Sequence, residues 1–309
     1  MTSHAHGHSS SHAPHHSAGH AHGHSHGSDH GGAHPDDDAC AEILDLDATV
    51  FADLLADVVG RVAALAPPTV RTVVDLGAGT GTGTAALARA FPDAQVVAVD
   101  SSSTMLGRLR TAAEKAGIGA RVRTVEADLD AGWPDLAEVD VVWASASMHH
   151  VTDPGRVLRD AFASLAPGGL VAVVEMTGTT PVLPQSAGRP GLTERLAEAM
   201  SHAGWNQYPD WTPYLERAGL ELVERVELES PPATGPGADL WVRTTLERVR
   251  DHLAPHLAPD DAATIAAFLD RPRVTASGPT TTGEDDGPRA RSGRILWAAR
   301  RPSAAVPAR

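Results

Sequence analysis

Three groups of residues in this 309-residue chain have types and spacings that could do chemistry. The first is an acidic residue followed by alternating glycines: Asp75, Gly77, Gly79, Gly81 and Gly83, with Ala78 among them. Glycine at that density is needed where a backbone turns sharply and lets a ligand come closer than a Cβ would permit. The second group stands at the ends of short apolar runs: Asp100, Asp128 and the tandem pair His149-His150. A carboxylate there can accept hydrogen bonds from ligand hydroxyls, and an imidazole can take a proton from an O–H or N–H nucleophile. The third is an N-terminal arm, residues 1–38, that holds twelve of the seventeen histidines. His4, His6 and His8 alternate, as do His20, His22, His24 and His26. Neutral imidazoles on a flexible chain chelate Ni²⁺, Zn²⁺ or Cu²⁺. A solvated tail with no selected role, or an appended purification sequence, accounts for the same residues. Cys40 is either a further thiolate ligand or an idle thiol.

Each chemical residue needs an element to hold it. Val70, Val73, Val74 and Leu76 read as a buried strand, and an alanine-rich helix starts behind the glycines at Ala85. Strand, glycine turn and helix form the entrance to a nucleotide-type site, with amide N–H groups and a helix N-terminus facing the ligand. The dinucleotide fingerprint G-x-G-x-x-G/A does not fit, because its last position falls on Thr82 or Thr84. That counts against a nicotinamide-dependent oxidoreductase. QVVAVD (95–100) is a second short strand, and Asp100 at its end stands about twenty residues past the glycines, where a carboxylate meets two ribose hydroxyls. Asp100 could also cap the helix over 102–116. RVRTVEADL (121–129) gives a third strand ending near Asp128, for which a plain turn role competes with a ligand contact. The fourth strand and its exit span 139–151, so Ala144 to His150 should border the reaction.

The remaining segments read as scaffold. Residues 41–66 form an amphipathic helix with Phe51, Leu54, Leu55, Val58, Val62 and Leu65 on one face, stopped by Pro67-Pro68. Asp153-Pro154 opens a helix, Pro167-Gly168-Gly169 makes a tight reversal, and 170–175 is a fifth strand ending in Glu175. Trp205, Tyr208 and Trp211 either line a substrate pocket or pack the next helix. A sixth strand (220–230) and a seventh, antiparallel one (293–301) flank a helical insert over about 231–290. The expected organisation is a disordered His-rich arm over 1–40 and a catalytic domain over 41–309.

In that order the motifs resemble the class I S-adenosylmethionine (SAM)-dependent methyltransferases. The carriers are the Asp75 glycine loop, Asp100-Ser101-Ser102-Ser103-Thr104-Met105-Leu106, the His149-His150-Val151 exit and LAPGGLVAVVE (165–175). The tandem His is similar to the small-molecule, ubiquinone/menaquinone-methyltransferase branch. The resemblance implies a Rossmann-like α/β fold: a seven-stranded, mostly parallel sheet with helices on both faces and an antiparallel last strand. It implies SAM across the ends of the first two strands, with Gly77, Ala78, Gly79 and Gly81 around its methionyl part and Asp75 orienting the ammonium. Asp100 and Ser101 would hold the ribose, Met105 would cover the adenine, and Asp128, Leu129 and Ala144 would complete the cofactor contacts. His149 or His150 would be the base. The acceptor would be a small molecule, with O- or C-methylation favoured because no N-P-P-Y signature follows the fourth strand. The alternative is a metal-handling protein whose His arm is the functional part and whose fold is a carrier.

Composition sets limits. A formal charge of −14 argues against nucleic acid as partner. No apolar run reaches membrane-spanning length, no apolar signal segment opens the chain, and the single Cys40 fits a reducing cytoplasm. Nothing in the residues speaks to oligomeric state.

Overall fold

A computed structural model describes residues 35–136, 138–205, 207–273 and 287–303. Seven strands form one sheet: β1 (Thr72–Leu76), β2 (Gln95–Asp100), β3 (Val122–Glu126), β4 (Val139–Ser145), β5 (Leu165–Val182), β6 (Glu221–Glu229) and β7 (Arg289–Arg300). Their order is β3-β2-β1-β4-β5-β7-β6, parallel from β3 to β5, with β7 antiparallel to both β5 and β6. This is the Rossmann-like sheet expected from the sequence, and the order reverses beside β1, which puts the β1, β2 and β4 ends around one crevice.

The sheet buries apolar side chains on both faces. Val74, Val142, Val171, Val173, Ile295 and Trp297 pack towards α5 (Pro154–Ser164) and α7 (Thr212–Arg217). Val73, Val141, Trp143, Ala172 and Leu296 pack towards α2 (Ala52–Leu65) and α3 (Thr82–Ala90). Early in β5 the register against β4 shifts, and the irregularity there uses Gly168, at φ +83°, and Gly169, where a Cβ would stand 2.9 Å from the Ala166 carbonyl oxygen.

A third core lies over the sheet's far end. It joins Phe51 and Leu54 to α6 (Leu192–His202) and to the helices between β6 and β7, α8 (Pro236–Leu253) and α9 (Pro259–Leu269). Arg243 of α8 is 5% exposed; it donates to Asp239 and reaches the terminal carbonyls of α9, Phe268 and Leu269. The buried charge is thus consumed in stapling the two helices together.

Three elements differ from the sequence expectation. The first amphipathic stretch is two helices, α1 (Pro35–Val50) and α2, and α1 begins inside what reads as the arm. The break falls at Phe51 (φ −113°, ψ 33°), whose ring is buried edge-on against Trp241 of α8 at 5.3 Å. That contact spans the chain and leaves no local signal. β5 also continues through Gly178 and Pro181, which read as loop. Past Ser145 β4 has ended, and residues 180–182 pair only with 289–291 of β7, so a proline costs little at this ribbon. No helix among the described residues is long and apolar enough to cross a membrane.

Gly293 sits in the middle of β7, where a Cβ would lie 2.6 Å from Thr177 Oγ1 and 2.9 Å from the Thr177 carbonyl oxygen. Gly293→Ala is expected to lower stability by about 1–3 kcal/mol through overpacking, read as a drop in the urea midpoint. An unchanged midpoint would mean that β5 and β6 give way there without cost.

Candidate active site

The crevice begins at the glycine turn after β1. Gly77, Gly79 and Gly81 all have positive φ, at +68°, +53° and +93°. Their missing side chains do different work. A Cβ on Gly77 would lie 2.4 Å from Ser147 Cβ, and one on Gly81 would lie 2.5 Å from Leu109 Cγ. Gly83 leaves room for Asp75 and the Trp143 indole. Only Gly79 turns its bare backbone to the open side, where Leu44 of α1 stands 3.5 Å away. Gly77, Gly81 and Gly83 therefore serve packing, and α1 lies over Gly79.

Asp100 reaches across from the end of β2. Its Oδ2 accepts the Gly79 N–H at 2.8 Å and its Oδ1 accepts the Ser102 N–H at 2.8 Å. The cap of α4 (Ser103–Lys115) is Ser102, whose hydroxyl accepts the Met105 N–H, so Asp100 is not the helix cap. Each carboxylate oxygen retains a lone pair for a further donor. Ser101 is exposed beside it, while Met105 is 7% exposed and packed into the helix underside.

Asp75 lies beneath the turn, 2% exposed, accepting a 2.6 Å hydrogen bond from Thr84 Oγ1. Burial pushes its carboxyl up to about 7, against the opposing effect of the Thr84 bond and with a further push from the Asp100 charge. Asp128 is exposed and closes its own turn, accepting the Asp130 N–H at 2.8 Å. Leu129 is partly buried and gives its carbonyl to Arg156. Ala144 is 1% exposed inside β4, under the crevice floor.

The β4 exit carries the histidines. Ala146 adopts φ +51°, uncommon for a residue with a Cβ, and turns the chain off the strand. Ser147 donates to the Leu76 carbonyl at 2.8 Å, and Met148 anchors the next turn at 1% exposure. His149 then extends to Glu175 at the end of the apolar run LVAVV of β5, with Nδ1 2.9 Å from Oε2. The Glu175 side chain is fully buried and that of His149 is 23% exposed. The His150 ring lies 4.0 Å from the His149 ring, and the Tyr208 ring 4.8 Å from it on another side. Burial, and then the Glu175 charge, push the Tyr208 phenol well above its ordinary value, so it stays protonated. Of the three clustered aromatics, Trp211 is core, Trp205 lies under Arg248, and Tyr208 alone reaches the histidines.

Helix α1 is tied over this region by Asp47, which accepts from Arg294 of β7 at 2.5 Å with both side chains largely buried. Sequence reasoning noted Glu175 only as a strand end and missed Asp47, Arg294 and Leu44. A signal for Glu175 was present: one acidic residue closing the otherwise apolar LVAVV. His4, His6, His8, His20, His22, His24 and His26 lie outside the described residues, as do their candidate metals. Among the described residues no cluster of three or more His, Cys, Asp or Glu could hold a metal ion.

A methyltransferase-domain family matches residues 73–169, from β1 into the first residues of β5. The trans-aconitate 2-methyltransferase of Methylobacterium radiotolerans is 30% identical over 229 residues, which cover 70% of this chain and 80% of that protein. The chain belongs to the class I SAM-dependent methyltransferases. A second trans-aconitate 2-methyltransferase, from Azoarcus, is 40% identical over 102 residues, 33% of this chain and 38% of that protein. The 27-O-demethylrifamycin SV methyltransferase of Amycolatopsis mediterranei is 28% identical over 234 residues, covering 74% and 77% of the two chains. Nothing in these matches singles out the ubiquinone-type branch within the methyltransferases.

In this methyltransferase Asp75 carries a pH signature. Its folded-state carboxyl titrates near 7 against a reference of 3.8, so the folded state holds the proton more tightly. The group's contribution to stability is full below the reference value and is lost as pH rises towards 7. Asp75→Asn, which keeps an acceptor for Thr84, is expected to gain ~2–3 kcal/mol relative to the unsubstituted protein between pH 5 and pH 8. Denaturation at both pH values checks it; parallel pH profiles for the two proteins would refute the assignment.

Proposed function

We propose that the chain transfers the methyl group of SAM to a small-molecule acceptor, with Asp100 holding the cofactor ribose and His149 acting as base. The observation that carries this reading is the Asp100 carboxylate fixed by the Gly79 amide at the mouth of the β1–β2 crevice, with the His149–Glu175 pair just past the end of the β4–β5 pairing. The relatives named above support it: their names specify small acceptors, one a tricarboxylate and one an O-demethylated rifamycin.

The residues present fit the cofactor. Gly79 offers a backbone with no Cβ on the side facing α1, and Asp100 offers an acceptor-only group for two vicinal hydroxyls. When bound, SAM supplies an activated sulfonium methyl that needs an aligned nucleophile and little else. The chain's own work is then positional. Leu44 and α1, held by the Asp47–Arg294 bond, cover the glycine turn and limit water. His149 takes the acceptor's proton, Tyr208 walls the ring on one side, and Asp75 braces the turn through Thr84. Ser101, Met105, Asp128 and Leu129 belong to the adenosine end of this reading, and His150 flanks the base.

Calorimetry with S-adenosylhomocysteine tests the cofactor half. Asp100→Ala should weaken binding about 100-fold or more, the loss of two hydrogen bonds to a charged group. Binding unchanged by that substitution would remove Asp100 from the ribose role. His149→Gln should leave this affinity within about twofold and lower turnover about 100-fold, the usual contribution of a positioned base; an undiminished rate would transfer the role to another group.

A further inference from the structure

The geometry points to Glu175 as the positioning residue that sets the His149 tautomer, and to an acceptor that presents a hydroxyl rather than a carboxylate. This rests on the methyltransferase reading above and narrows it.

The buried carboxylates of this protein are not alike. Asp239 and Asp261 face arginines that tie helices together, and Asp75 faces the Thr84 hydroxyl. Glu175 is 0% exposed, and its partner is the imidazole of His149. Its other oxygen, Oε1, is buried with no hydrogen-bond partner among the described residues. A desolvated carboxylate with one oxygen unpartnered is costly to the fold, and such groups concentrate where chemistry uses them.

The consequence for His149 is specific. An ionised carboxylate only accepts, so the proton of a neutral imidazole resides on Nδ1 and the lone pair on Nε2. Nε2 is the opposite edge of the ring from the Glu175 contact, and the side chain retains 23% exposure. A hydroxyl acceptor gives its proton to Nε2, and the O–H bonding pair stays on oxygen as the nucleophile. The imidazolium formed is paired with Glu175, and the proton then leaves to solvent from the exposed edge. Tyr208, held protonated, does not compete as a base. A carboxylate acceptor is already ionised at neutral pH and has no proton for such a base to take. An imidazole backed by a buried carboxylate is therefore matched to a phenol, enol or alcohol.

Two measurements on the full chain test this. The first needs no acceptor or cofactor: nitrogen-15 NMR of the histidine side chains near pH 8. His149 should be the Nδ1–H tautomer in the unsubstituted protein and lose that preference in Glu175→Gln. An Nε2–H tautomer in the unsubstituted protein, or no change on substitution, overturns the role of Glu175. The second compares a series of phenols and enols with trans-aconitate as methyl acceptors. The hydroxyl series should be methylated, with kcat about 100-fold lower in Glu175→Gln at similar KM and rescued in part by Glu175→Asp. Methylation of trans-aconitate alone, or a hydroxyl rate within threefold after substitution, overturns the acceptor class. Calorimetry with S-adenosylhomocysteine separates the two levels. Intact cofactor binding with either adverse result removes this inference and keeps the methyltransferase, whereas an unsubstituted chain that binds no cofactor removes both.

Discussion

The end of β1 and the turn after β4 lie against each other because Gly77 has no side chain. Ser147 occupies the space that a Cβ at 77 would need, and its hydroxyl bonds the carbonyl of Leu76 just before it. The exits of β1 and β4 can therefore lie against each other. Any larger residue at 77, already at positive φ, would push the His149 turn away from the glycine loop.

The sheet was largely legible in the sequence, because parallel strands buried on both faces read as short apolar runs and each run ends at a residue with a role. TVVDL, QVVAVD and VDVVWAS were visible in this way, and so was the antiparallel β7 through RILWAAR. What escaped was set by contacts across the chain. The break at Phe51 exists because Trp241 lies opposite, and the extension of β5 exists because β7 supplies a partner beyond the end of β4. At the site, the alternating glycines looked alike in sequence, yet Gly81 yields to Leu109, Gly83 to Asp75 and Trp143, and only Gly79 faces outwards. Periodicity cannot distinguish a glycine needed for a neighbour from one needed for a ligand.

The cover over the cleft has a different physical origin from its floor. The floor is sheet, with ladders on both sides of every central strand. The cover is α1, held by the Asp47–Arg294 bond, by Leu44 above Gly79 and by the core that α2, α6, α8 and α9 build around Trp241. That core takes Ala290 from β7 and packs against Leu228 of β6, so the cover is continuous with the edge of the sheet that carries Arg294.

Asp75 and Glu175 show how one interior can hold two carboxylates in different states of use. Both are almost or fully buried; Asp75 stands one residue before the end of β1, and Glu175 follows the last β5 residue paired to β4. Asp75 has a hydroxyl for its partner, which cannot carry a compensating charge, and burial pushes its proton affinity up. Glu175 has an imidazole, which can become positive when a proton arrives. The Asp75 pairing braces a loop at the expense of stability near neutral pH, while the Glu175 pairing fixes one edge of an imidazole. The distinction comes from the partner's chemistry, since depth of burial is nearly the same for both.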